Sequence, residues 1–561
     1  MPLKQKNIYS FLFVLAVIAI LSFVIKTFAF RIDLTEDKRY SLSKASRQVL
    51  ENIEDVVFFR IYLDGEMSIP MKKFKTSIQE KLDELKRYSG KNIQYEFRNP
   101  NEGSEEKRKT VHDNLTNSGL IPLYERDGDA EGGATLRIIF PGALVSYKEK
   151  TLAVNLIHNN DVLSKEENLN FALQNLEYEI VNEIQKITRE NEVKIAFIEG
   201  HGELDDLSLA GVYFALGEYY KVEGVKIDST IGILDEYKAV IIAKPMNRWT
   251  EADKLVLDQY IMNGGRTAWF IDAVHVHEDS LSSGELTFGI PTEHNLNDQL
   301  FSYGVRINHN VIQDLQSSLI MVNIAPYGMT PNLKPAHWTY FPLLWPPLDN
   351  PITKGLNLVR SQYPGVIDTV GNNPEIKKTY ILHTSDKAKV TSAPLLIGLS
   401  QIDDKITESN FNQSYLPVAV MLEGEFVSPF RNRMVGRYIN DPSFIPKTKS
   451  EKTKMVIVSD GDIIRNEVSA RGEPFPLGYD RYTKTTFGNK DFVKNIINYL
   501  TDEDGLMEIR NRTFQIRLLN RSKVAHNYTN IILMNTLLPV LMVLISGIVF
   551  IWIRQRKYSK S

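Results

Sequence analysis

Two long apolar runs, one near each end of the chain, constrain the architecture more than any other feature. Residues 8–30 read IYSFLFVLAVIAILSFVIKTFAF, with Lys26 as their only charge, and residues 529–553 are apolar almost throughout. A helix of about 20 such residues crosses about 30 Å of hydrocarbon. A cleaved signal peptide would show an apolar core of about 7–15 residues followed by small residues. The first run is longer and closes on Phe28, Ala29 and Phe30. The sequence therefore predicts an uncleaved transmembrane helix at each end, 8–30 and 529–553, in contact with a lipid bilayer.

Two spans place both termini on one side. The tail 554–561 carries Arg554, Arg556, Lys557 and Lys560, which assigns it to the cytoplasm by the positive-inside rule. Arg510, Arg512, Arg517, Arg521 and Lys523 crowd the other flank of the same span, so residue counting alone leaves the topology open. Large domains cross a membrane largely regardless of charge, and an external body is expected. Within the second run Pro539 predicts a bend, because proline removes a backbone donor. Asn535, Thr536 and Ser546 are polar there. They point either to docking against another membrane helix or to tolerated polar positions in a plain anchor.

Between the runs the composition is that of a folded protein. Hydrophobic residues make up 43%, charged residues 24%, and the formal net charge is −3. That balance argues against nucleic-acid binding, which calls for a strongly basic face, and against general disorder. Cysteine is absent, which excludes disulfides, thiolate zinc sites and cysteine nucleophiles. No G-x-x-x-x-G-K-[ST], G-x-S-x-G or H-E-x-x-H is present, and EGHGELDD lacks the third glycine of a dinucleotide fingerprint. No cofactor is expected.

The body reads as α/β. In 31–163, Ser43 is placed to cap a short helix, and VVFFRIYLD, KKFKTSIQEKLDELKRYS and NIQYEFRNP form a strand–helix–strand unit. A surface helix is expected over Glu102–Asp113, a turn over Asp127–Gly133, and a strand TLRIIFPGALVSY that bends at Pro141-Gly142. Residues 164–190 form a connecting helix, with Leu169, Leu173, Leu176, Ile180, Ile184 and Ile187 at helical spacing. In 191–502 apolar strands (KIAFIE, AVIIAK, TAWFID, MVIVSD) alternate with amphipathic helices, which predicts a mostly parallel sheet covered on both faces. Long insertions interrupt it between Asp272 and Lys454. Residues 503–528 are juxtamembrane.

Ligand sites of open α/β sheets lie outside the carboxyl ends of the strands. That rule selects Glu199 and His201, Asp272, and Asp460-Gly461-Asp462. One reading is a pocket with His201 as acid/base and the acids as partners. The other is that the glycines permit tight turns and the polar side chains cap helices. His275, His277, Glu278 and Asp279 have metal-ligand chemistry but complete no recognised spacing, so no metal is expected. Trp338, Tyr340, Phe341 and Trp345 lie in the proline-rich stretch Pro326–Pro351. They either form an exposed contact surface or pin a long loop to the body.

Several stretches together resemble one family, the gliding-motility auxiliary proteins of ABC transporters in Bacteroidota (GldG-like). They are RIDLTEDKRYSLS, IEGHGE, WFIDAV, YFPLLWPPLDNPITKGL, GNKDFVKNIINYL and IRNRTFQIRLLNRSKVAHN with the final span and RQRKY. The resemblance covers nearly the whole chain. It implies a non-enzymatic accessory subunit that works with a separate cytoplasmic ATPase and a multispan permease. It also implies an inner-membrane location with the body in the periplasm. The missing P-loop fits, since the ATPase is then another chain. The second domain resembles the glutamine-amidotransferase-like (flavodoxin-like) fold, but those enzymes use a cysteine nucleophile and this chain has none. The competing expectations are a receptor that binds a glycan or peptide through the sheet edge and the aromatic stretch, and a hydrolase centred on His201, Asp272 and Asp460. Homo-oligomerisation is compatible with all three.

Overall fold

The computed structural model describes residues 41–511, apart from short stretches such as 128–134, 278–279, 282–285, 326–329 and 403–407, together with residues 527–558 and positions 12–13 and 15–18. Tyr40–Arg512 is one compact unit, and the terminal segments Met1–Arg39 and Thr513–Ser561 make up a second.

Within Tyr40–Arg512 the first sheet has the order β2-β1-β3-β4, with β1 Val57–Ile61, β2 Ile93–Phe97, β3 Gly142–Tyr147 and β4 Lys150–Asn155. Helix α1, Lys44–Glu51, starts at Ser43, whose Oγ accepts from the Ser46 amide at 2.8 Å. β1 and β2 are parallel, joined through helix α2, Ile69–Tyr88. That helix turns Met71, Phe74, Ile78, Leu82 and Leu85 inward, the spacing of one helical face.

The run TLRIIFPGALVSY is two strands rather than one bent strand. Thr135–Ile139 pairs with Leu123–Asp127, while Gly142–Tyr147 joins the main sheet against β1 and β4. Gly142 allows the break, since a Cβ there would lie 2.6 Å from the Val154 carbonyl oxygen. Helix α3, Lys165–Thr188, begins with a capping box between Ser164 and Glu167 and buries Leu176, Ile180, Ile184 and Ile187.

The second sheet has seven strands in the order β9-β10-β11-β8-β7-β5-β6. These are β5 Lys194–Glu199, β6 Lys221–Lys226, β7 Ala239–Ala243, β8 Arg266–Phe270, β9 Ile376–His383, β10 Pro417–Gly424 and β11 Thr453–Val458. β6, β5, β7, β8 and β11 are mutually parallel. In chain order they run 2-1-3-4-5, the doubly wound flavodoxin-type order. β10 and β9 are antiparallel additions from the insertion.

Period-2 alternation sends Ile195, Phe197 and Ile241 into one core with Leu216 and Ile496. Ala196, Ile198 and Ile242 pack on the other face with Val256 and Ile261. Those partners come from helices α4 (Asp206–Gly217), α5 (Glu251–Met262) and α6 (Asn489–Thr501). Side-chain caps at Asp205 and Thr250 start α4 and α5.

Two expectations change. Leu333–Leu344 is a twelve-residue strand and not a loop. Alternation turns Trp338 and Tyr340 into the core, where they are 2% exposed. They present no contact surface; burying two rings of that size is the more favourable fate of the stretch.

The terminal unit contains helix α7, Tyr528–Tyr558, with Pro539 inside it. Its segment Tyr528–Arg556 is the one helix among the described residues long and apolar enough to cross a membrane. Leu12, Phe13 and residues 15–18 are helical, and the rest of the expected span 8–30 lies outside the described residues.

Candidate functional site

The carboxyl ends of β5, β7, β8 and β11 surround a cavity of about 260 Å³. Gly202 and Leu204 line it after β5, Lys244 and Met246 after β7, and Asp272 and Val274 through His277 after β8. Asp462 and Arg465 follow β11, and Tyr363 comes from the insertion. The crossover topology brings these segments together where doubly wound sheets bind ligands.

Lys244 is the centre of the floor. Its Nζ lies 2.6 Å from Asp462 Oδ2 and 3.0 Å from Asp272 Oδ2. The residue sits at φ +56, a left-handed backbone that side chains other than glycine seldom adopt. Its amide donates to the Phe270 carbonyl at 2.8 Å. Asp272 Oδ1 accepts from the Gly461 amide at 2.6 Å. A Cβ on Gly461 would come within 2.6 Å of the Lys244 side chain, so glycine is required there.

Asp460 is fully buried, and its two oxygens accept from the amides of Asp462 and Gln362 at 2.7 and 2.8 Å. Burial raises Asp460 well above the usual carboxylate range, and repulsion from Asp462 and Asp272 adds to it. Burial raises Asp272 as well, with Lys244 opposing. Burial also works to raise Asp462, but Arg465 and Lys244 outweigh it and leave that carboxyl below its ordinary range. Carboxylate oxygens of Asp272, Asp460 and Asp462 lie within 4.8 Å of one another. The Lys244 ammonium already supplies the cation they need. The floor is thus a buried lysine bridging two carboxylates beside a third, fully buried carboxyl, rich in donors and acceptors.

His201 follows β5 at the same edge, yet it does not join this cluster. Its Nδ1 lies 3.2 Å from Glu203 Oε1 and its Nε2 3.2 Å from Asp253 Oδ2. Its ring stacks on Trp249 at 3.9 Å. Burial disfavours the charged imidazole, but Asp253 and Glu203 prevail and push it up to about 9. With both nitrogens engaged, His201 ties the turn to the start of α5. Glu199 points along the sheet, its Oε1 filling the space above Gly224 of β6. Trp345 donates from Nε1 to Gln316 Oε1 at 2.7 Å.

The structure therefore brings Asp272 and Asp460 together, with Asp272 on the cavity lining and Asp460 buried behind it, and leaves Glu199, His201, Trp338, Tyr340 and Trp345 outside the lining. Lys244 and Arg465 were not among the expected site residues. Lys244 directly follows the apolar strand AVIIA, so the strand-end rule applied there would have found it. His275 and His277 line the same cavity, with His275 Nε2 3.2 Å from His277 Nδ1; Glu278 and Asp279 lie outside the described residues.

In α7, Thr536 and Ser546 hydroxyls each donate to their own helix, to Ile532 and Met542 carbonyls at 2.5 Å. Those two hydroxyls need no helix partner. Asn535 and Pro539, one turn apart, lie on the surface of α7.

Fold and site define an α/β body followed in the chain by a helix long and apolar enough to cross a membrane. The model of the family described as "ABC-type uncharacterized transport system" matches residues 192–496, more than half of the chain. The chain belongs to this family of ABC transport auxiliary proteins, and so associates with permease and ATPase components. A domain of unknown function matches residues 36–146. An uncharacterized protein of Borreliella burgdorferi is 19% identical over 97% of this chain and 98% of its own length.

Among solved structures, the mmIFT52 N-terminal domain is 14% identical, covers 58% of this chain and 100% of its own, and has a TM-score of 0.32. A ThuA-like protein from Parabacteroides merdae is 10% identical, covers 55% and 90%, and has a TM-score of 0.26. Scores this low carry no argument.

Proposed function

We propose that this chain is a non-enzymatic accessory subunit of an inner-membrane ABC transporter that supports gliding motility, with its body in the periplasm. The family match over the second sheet is the observation that carries the transporter assignment. Motility and location rest on the GldG-like resemblance of the whole chain. The 2-1-3-4-5 strand order supports reading the second domain as amidotransferase-like in architecture, and without cysteine that chemistry has no nucleophile.

Coupling to the membrane partners has a physical basis at the exit from the body. Leu506, Met507 and Ile509 are buried in the core. Arg510, also buried, donates to the carbonyls of Pro351 and Lys354 at 2.9 and 2.8 Å and lies over the Tyr178 ring. A force that reaches Arg510 therefore acts on packed elements and not on a loose surface turn. The α7 face carrying Asn535 and Pro539 is the docking surface for the permease.

Purification in mild detergent tests the assembly: permease and ATPase should co-elute with this chain, and recovery of the chain alone would sink the proposal. Deletion of the gene should stop cell spreading on agar; unchanged spreading would remove the motility part alone.

A further inference from the structure

A second surface adjoins the cavity. Val274–Val276, Leu286–Pro291 and Leu395–Gly398 form a three-stranded antiparallel sheet without one Asp, Glu, Lys or Arg. Its central strand alternates, so that Leu286, Phe288 and Ile290 face outward, 52%, 62% and 51% exposed. Leu396 stands directly opposite Phe288 and is 47% exposed. His275 stands opposite Ile290, and directly opposed residues share a face. Because Val274–Val276 lines the cavity along its length and His275 shares the face of Ile290, the apolar strip lies beside the cavity.

Size selects the occupant. Four half-exposed side chains amount to roughly 400 Å² of apolar surface, about half of the roughly 800 Å² that each partner of a stable protein pair buries. A second copy of this chain is therefore poorly matched, and a single hydrocarbon chain is well matched. At the other end, about 260 Å³ holds only a compact head. Lys244 and Arg465 offer donors there, and Asp272 and Asp462 acceptors. Hydroxyl groups, which both donate and accept, complement that mixture. We infer that the cavity and the adjoining sheet face form one binding site for a single-chain amphiphile, its hydroxyl-bearing head on Lys244, Asp272 and Asp462 and its acyl chain along Ile290, Phe288 and Leu396. The inference is independent of the transporter partners, and its failure leaves the co-purification test untouched.

The test uses the full chain in amphipol and a monoacylglycerol carrying a photoactivatable diazirine on its acyl chain. After irradiation and proteolysis, mass spectrometry should find label on peptides containing 286–290 and 395–398, with label on 528–558 as internal reference. Excess unlabelled monoacylglycerol should suppress the strand label, whereas the headless alkane should not. The double variant Phe288→Ser, Leu396→Ser changes only exposed side chains. It should keep the wild-type melting temperature and lose strand label about ten-fold or more, while the reference stays constant. Label confined to 528–558, strand label unchanged in the variant, or equal suppression by the alkane each overturns the proposal. So does a wild-type dimer that the variant converts to monomer, because a second copy then covers the face.

Discussion

The turn after β5 and the floor formed after β7, β8 and β11 occupy the same edge of one sheet, yet they have opposite fates. At His201 every polar atom of the ring is consumed by Glu203 and Asp253, and Trp249 covers its face. At Lys244 the ions also pair, but they do so on the wall of an open cavity. The turns after β5 and β11 show the same local pattern of apolar strand, acid and glycine. Each cation meets two carboxylates; what separates them is that Trp249 covers the imidazole while Lys244 and its two acids line the cavity. A closed knot stabilises; an ion set with one side open also offers atoms to a ligand.

The comparison breaks most directly at Lys244. Lys244→Met leaves the buried Asp272 without its cation and Asp462 with Arg465 alone, and should cost about 3–5 kcal/mol, read as a lowered melting temperature. A loss below about 1 kcal/mol would show that the floor is solvated and not a buried ion set.

The next largest effect is at His201, whose role as a structural cation predicts a pH signature. Its folded pKa of about 9 stands above the unfolded 6.5. The stabilisation is therefore complete below about 6.5 and is lost as pH rises through about 9. The full shift corresponds to about 3 kcal/mol, and solvent screening of the ion pairs brings the expected effect to about 2 kcal/mol. His201→Gln should lower stability at pH 6 and matter little at pH 10. Equal losses at both pH values would mean that packing on Trp249, not charge, holds the turn.

Gly461→Ala sharpens the cavity side. Its methyl would press on the Lys244 stem, and about 1–3 kcal/mol of destabilisation is expected in chemical denaturation. A neutral result would show that the Lys244 side chain moves freely. The smallest effect is at Glu199, which touches neither region. Glu199→Gln should stay within about 0.5 kcal/mol of wild type, and a larger change would bring Glu199 into the account.

Much of the second sheet is readable from local pattern, because parallel strands buried on both faces need continuous apolar runs such as Ala239–Ala243. The strand-end rule likewise located Asp272 and Asp460. It selected His201 as well, which lies outside the cavity lining: Asp253, beyond α4, β6 and β7 in the chain, engages its ring, and no local pattern announces that the two meet. The aromatic stretch allowed two readings, contact surface or pinning to the body, for a related reason. Proline and tryptophan mark a loop by composition, but alternation along Leu333–Leu344 turns Trp338 and Tyr340 inward only once the strand pairs with Ser317–Asn323.

The chain by itself therefore determined the apolar helix near its C-terminus, the order of strands and helices, and the absence of thiol and P-loop chemistry. These follow from composition and periodicity, which act over a few residues. The tertiary structure alone decided that Lys244 bridges Asp272 and Asp462, that His201 is locked away, and that β9 and β10 extend the sheet in the antiparallel sense. Those outcomes depend on which distant groups must share a low-dielectric space, and the energy of burying a charge is settled only by the partners that packing delivers.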